Sequence, residues 1–168
     1  VEIAKDAGDR LLESRALFHT GVWAAPAGGG RAEDLETSIA IAREVGDRWG
    51  LALALAASGS ALGDADHTAA AAPVLEEGLA VCEELGERYI ANTIRYKLAG
   101  AQFRLGRTAE GEAMLRGVIA HARGTRDVYS LAAALADLGL SRAVQGSIDE
   151  GIEMLVEDVA LLQGSRQP

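Results

Sequence analysis

Apolar positions recur along this chain at a fixed spacing. Leu35, Leu75, Leu115 and Leu155 stand 40 residues apart, as do Ile39, Leu79, Ile119 and Val159 four places later. Ala40, Ala80, Ala120 and Ala160 follow directly. An apolar pair at i and i+4 shares one helix face, and a small residue beside it lets a second helix approach closely. A second set of columns keeps the same period: Leu51, Ala91 and Leu131; Ser58, Leu98 and Leu138; and the small residues Gly59, Ala99 and Gly139. The pattern is an internal repeat of one helix pair every 40 residues.

First helices are predicted at 10–23, 48–62, 88–105 and 127–145, and second helices at 31–46, 68–86, 108–124 and 148–163. Between repeats runs a punctuation: Gly46-Asp47-Arg48-Trp49, Gly86-Glu87-Arg88-Tyr89 and Thr125-Arg126-Asp127-Val128-Tyr129. Glycine closes a helix because it accepts positive φ, and an acid suits the positive end of the next helix. Trp49, Tyr89 and Tyr129 share a column, and the habit of aromatic burial predicts that they pack inward. Ala24–Gly30 and Gly63–Thr68 are long turns, whereas Gly106-Arg107 and Gly146 are short. Ser147-Ile148-Asp149-Glu150 has capping-box spacing, and Thr68 and Thr108 are the expected caps of their second helices.

The ends carry the same register. Residues 3–10 resemble 41–48 at an offset of 38, and Gln163-Gly164-Ser165-Arg166 matches Arg123-Gly124-Thr125-Arg126. The expected organisation is a single repeat array. Residues 1–9 form the tail of a preceding repeat, and four helix pairs follow at 10–47, 48–87, 88–126 and 127–166, the whole being a piece of a longer protein.

Composition narrows the class. The 168 residues are 49% hydrophobic and only 4% aromatic, and Ala with Leu makes up about a third, a helix-rich mixture. The net charge of −9 argues against direct nucleic-acid contact, which depends on cationic side chains. One cysteine, Cys82, excludes an internal disulfide and a Cys-rich zinc site. No apolar run approaches the roughly 20 residues needed to span a bilayer. The expectation is a cytoplasmic protein with no membrane contact.

No catalytic constellation emerges, and the chain is not expected to be an enzyme or to hold a cofactor or metal. A phosphate-binding loop is missing. Gly28-Gly29-Gly30-Arg31 precedes a helix, but Glu33, Asp34 and Glu36 crowd the same turn and favour a plain flexible turn over an anion site. His67 lies in a polar loop with Asp64 and Asp66 but lacks metal-ligand spacing, and His19 and His121 lie far apart. Cys82 shares a column with Ala42, Ala122 and Leu162, as a small buried residue would, and Glu83 and Glu84 oppose its ionisation. Glu76-Glu77 read as solvated charge on an outer helix face.

The helix pairs resemble tetratricopeptide-type repeats. Leu138-Gly139 and Ser58-Gly59 stand at the family's Leu-Gly step, and Ala71, Leu75 and Gly78 at its second-helix positions, which Gly111, Leu115 and Val118 follow loosely. The 40-residue period exceeds the family's usual one, Arg95 and Gln102 replace apolar residues, and the closing Pro is missing. The longer variant with Gly-Asp-Arg punctuation resembles arrays in large bacterial signal-transduction ATPases and transcription activators. The resemblance implies an all-α solenoid of antiparallel helix pairs, a right-handed superhelix with first helices lining the concave groove. It places Ser60, Asp64, Thr93, Tyr96, Lys97, Gly100, Arg104, Asp137 and Leu140 on that groove. It implies a non-catalytic module, part of a bacterial transcriptional regulator or signalling protein, that binds a protein segment or another domain of its parent. The alternative is a sensor of a small-molecule effector. A third expectation is a homodimer formed by stacking of exposed repeat ends. The family's carboxylate clamp is disfavoured, because Lys97 alone matches it and the sole Asn, Asn92, is out of place.

Overall fold

The computed structural model describes residues 1–23, 31–64 and 66–164. Among these residues the chain is helical throughout, with no strand: α1 (Glu2–Asp6), α2 (Arg10–Trp23), α3 (Ala32–Val45), α4 (Arg48–Asp64), α5 (Thr68–Leu85), α6 (Arg88–Arg104), α7 (Thr108–Thr125), α8 (Val128–Val144) and α9 (Ile148–Gly164). Each expected helix is present, with ends displaced by no more than a residue or two. The Gly28-Gly29-Gly30 turn lies outside the described residues.

The chain divides into two compact units, Val1–Lys97 and Leu98–Pro168. In the first, α1 packs on α2, α2 on α3, α3 on α4 and α4 on α5, and α2 also touches α4. In the second, α7 packs on α8 and α8 on α9. Helices packed on their sequence neighbours are the arrangement of an α-helical repeat protein.

The small-residue column makes this packing close. A Cβ on Gly59 would lie 2.5 Å from the Cγ of Leu75, and one on Gly21 would lie 2.6 Å from that of Leu35. On Gly139 it would lie 2.9 Å from the carbonyl oxygen of Gly151 and 3.2 Å from the Leu155 Cγ. The leucine column therefore seats on the glycine column of the same helix pair. Leu35, Leu75 and Leu115 are buried, each burial giving about 1.5–3 kcal/mol of hydrophobic stabilisation. Leu155 is only half-buried and Val159 is exposed, because no described helix covers the outer side of α9.

Polar contacts repeat as well. Arg43 donates to Glu77 at 2.6 Å, joining α3 to α5, and Arg123 donates to Glu157 at 2.8 Å, joining α7 to α9. Both pairs span 34 residues. Exposed pairs of this kind stabilise by no more than about 1 kcal/mol. Inside the first pair, Ser14 Oγ donates to the Ser38 carbonyl at 3.0 Å and Ser38 Oγ to the Ser14 carbonyl at 2.8 Å. Asn92 is buried where the neighbouring repeats carry Ala52 and Ala132, and its Oδ1 has no hydrogen-bond partner.

Two expectations about the helix starts are corrected. Trp49, Tyr89 and Tyr129 do not pack inward: they are 50%, 72% and 76% exposed. Each is the second residue of its helix, where the Cβ tilts towards the N-terminus and carries the ring beyond the helix end; Leu51, Ala91 and Leu131, two residues later, are in the core. Thr68 and Thr108 are the first residues inside α5 and α7 rather than caps. The caps are His67 and Arg107, whose carbonyls accept from Ala71 and Gly111 at 2.9 and 3.1 Å and whose side chains make no capping bond. At the first helices the punctuating acid is itself the cap. Asp47 Oδ1 accepts from Gly50 N–H at 3.0 Å, and Asp127 Oδ1 from Ser130 N–H at 3.1 Å. Ser147 directly precedes α9, as expected, but Glu150 is taken by Arg142 at 2.8 Å.

Candidate binding cleft

The nominated groove residues fall on first helices in both units. In the first unit Ser60 is half-buried on α4 and Asp64 exposed at its end. Thr93 is exposed on α6, with Tyr96 and Lys97 half-buried beside it at i+3 and i+4. In the second unit Gly100 is half-buried and Arg104 exposed on the last turn of α6, and Asp137 and Leu140 are exposed on α8.

A concavity in the first unit lies elsewhere. A cleft of about 270 Å³ opens between α2 and α4, lined by Ser14, Arg15, Phe18, His19, Ser38, Trp49, Gly50 and Leu53. Arg15, Phe18 and His19 precede Thr93, Tyr96 and Lys97 by 78 residues, two repeat lengths once the shorter first repeat is counted. Leu53 precedes Thr93 by 40. Half of the cleft lining, Arg15, Phe18, His19 and Leu53, therefore stands in columns of the nominated groove, earlier in the array. Carrying the register upstream would have found these residues. Reading Trp49 as core and His19 as isolated concealed them.

The cleft's chemistry follows from its walls. Trp49, Phe18 and Leu53 are apolar and partly exposed, and the Phe18 and His19 rings meet edge to face with centroids 5.4 Å apart. Ser14 and Ser38 satisfy each other and offer no unmet hydrogen bond. Arg15 Nε donates to Asp47 Oδ2 at 3.3 Å, so the cation is fixed at the wall by the residue that caps α4. The site can hold an apolar or aromatic group, with an arginine and a histidine at its edge.

Two other ionisable groups, Glu112 and Cys82, are buried in the packing. In the second unit Glu112 is buried and accepts from Gln145 Nε2 at 2.6 Å, Ser141 Oγ at 3.1 Å and Arg116 at 3.1 Å, with Arg142 at 3.6 Å. Burial raises its pKa, and the bonds from Gln145, Ser141 and Arg116 with the Arg142 charge outweigh that, leaving the carboxyl below its ordinary value. Cys82 is fully buried, and its thiol is pushed up by burial first and by Glu87 and Glu83, partly offset by Arg95. His67 is exposed, and no described group of three His, Cys, Asp or Glu residues comes together to hold a metal. Among the described residues no helix is long and apolar enough to cross a membrane. No family model matches this chain, and no curated protein matches it.

Proposed function

We propose that this chain is a non-catalytic binding module that takes a segment of a protein partner along its first helices. One apolar or aromatic side chain of that segment seats in the cleft between α2 and α4. The observation that carries the reading is the coincidence of two independent lines. The resemblance assigns binding to certain first-helix columns, and four of the eight residues lining the cleft, Arg15, Phe18, His19 and Leu53, stand in those columns. Its volume also bears on the occupant. About 270 Å³ falls just under the roughly 300–1,000 Å³ of small-molecule sites, and it suits a single large side chain. The partner is a separate protein or another domain of the parent, in the cytoplasmic setting of a bacterial transcriptional regulator or signalling protein. The second reading, a small effector held by Trp49 and Arg15, is favoured by the aromatic wall beside a cation.

Trp49 supplies the readout. In a Trp23→Phe background it is the one tryptophan, and peptides selected on the wild-type chain should shift its emission on binding. Phe18→Ser should weaken those peptides about tenfold or more, from lost apolar contact. Equal binding by Phe18→Ser would remove the cleft from the reading. Metabolites that raise the melting temperature where no peptide binds would transfer the function to the effector reading.

A further inference from the structure

The cleft between α2 and α4 has no acid among its lining residues, in a chain with 25 Asp and Glu and a net charge of −9. Charge in the first unit is sorted by helix class. Helices α2 and α4, with α6 as far as Lys97, hold six Arg or Lys and two acids. Helices α3 and α5 hold one Arg and eight acids. The columns of Arg15 and His19 continue without a carboxylate through the rest of the unit. Leu53 and Ala57 follow on α4, then Thr93 and Lys97 on α6.

Arg15 is set for an anion. Its Nε donates to Asp47 Oδ2 at 3.3 Å, while Asp47 Oδ1 accepts from the Gly50 N–H at 3.0 Å. The Asp47 side chain is only 10% exposed, so its two oxygens are used within the wall. The Arg15 side chain is 54% exposed, and among the described residues its two Nη groups make no hydrogen bond. A guanidinium held through Nε still presents a planar Nη edge, which a carboxylate takes with two hydrogen bonds. Because Asp47 fixes that edge beforehand, little side-chain freedom is lost on binding. His19 stands one turn further along α2 and adds a ring N–H donor at the same edge. Phe18, Trp49 and Leu53 supply the apolar wall of the same cleft. A carboxylate that reaches Arg15 therefore belongs to a residue close in sequence to the anchor.

We propose that the partner segment is acidic, with an Asp or Glu within about two residues of the apolar anchor and its side-chain carboxylate on the Nη edge of Arg15. This rests on the reading of the cleft as a peptide site and names the chemistry of the partner.

The test selects peptides from a synthetic library with acetylated and amidated ends, on the full chain and in parallel on Arg15→Gln. The blocked ends leave side chains as the source of any carboxylate. Wild-type binders should share an acid within about two positions of a large apolar residue, and Arg15→Gln binders should lack that preference. Trp49 emission in the Trp23→Phe background then compares each wild-type binder with its Glu→Gln or Asp→Asn twin. The twin should bind at least about tenfold less tightly to wild type and equally to Arg15→Gln, at an unchanged melting temperature. Affinity for the acidic peptide should fall as salt rises, because local cations attract it; repulsion by the net charge of −9 would make it rise. Binders without an enriched acid, or twins that bind wild type alike, overturn the proposal and leave the cleft as an uncharged peptide site. An acid preference that survives in Arg15→Gln also overturns it. Binders held as tightly by Phe18→Ser, or an empty selection on wild type, would remove the cleft reading itself.

Discussion

Three second helices, α3, α5 and α7, end in the left-handed region of φ. Gly46 closes α3 at 73° and Gly86 closes α5 at 67°, but α7 closes on Arg126 at 57°. A side chain there brings Cβ against the carbonyl and costs about 1–2 kcal/mol, of which a glycine's extra unfolded-state entropy returns about 0.5–1. Arg126→Gly is therefore expected to stabilise the chain by about 0.5–1 kcal/mol, visible as a higher urea midpoint with an unchanged slope. A lower midpoint would mean that the arginine side chain contributes more than its backbone costs. At this scale the sequence was partly legible. The punctuation marked each turn between repeats, and the acid within it, Asp47, Glu87 or Asp127, accepts a backbone N–H at the start of the next helix. Which of two neighbours caps α5 and α7 was not legible, because residue preference points to Thr68 and Thr108 while the backbone bonds begin at His67 and Arg107.

At the scale of the helix, glycine has opposite meanings at different places in the register. Gly59 lies under Leu75, whereas nothing lies within 4 Å of a Cβ built on Gly117. Gly59→Ala should destabilise by about 1–3 kcal/mol through overpacking, towards the lower end because Ala99 holds the same column. Gly117→Ala should stabilise by about 0.5–1 kcal/mol through helix propensity. Thermal denaturation of the two variants side by side checks the register. Two stabilised proteins would show that the glycine column does not carry the helix contact. Helix positions were readable because a 40-residue spacing combines with the 3.6-residue helical period, and each reinforces the other. The 34-residue ladder of Arg43 with Glu77 and Arg123 with Glu157 was not readable. It depends on how successive second helices lie side by side, which periodicity alone does not state.

Each unit holds together through packing of its helices and a few polar clasps, and Glu112 is a buried, charged one of the second unit. Its pKa is lower folded than unfolded. The stability it contributes is therefore fully present above the ordinary glutamate value near 4.3 and is lost as pH falls through the folded value. The gap in unfolding free energy between wild type and Glu112→Gln should be widest near neutral pH and should narrow in acid. Urea titrations of both proteins from neutral to acidic pH measure it. A gap that is constant across that range would mean that the carboxylate's charge does not matter to the fold.

The sequence by itself determined that the chain is helical, where its helices begin and end, and which leucines and small residues meet. Those properties follow from local propensity and from a repeated pattern of apolar side chains. Tertiary structure alone decided which surfaces stay open. It turned Trp49, Tyr89 and Tyr129 outward, made the cleft between α2 and α4, and left the apolar face of α9 uncovered among the described residues. The physical reason is that burial is a property of neighbours. An apolar residue at helical spacing must face something apolar to be stable, but its own sequence does not say whether that neighbour belongs to the same chain.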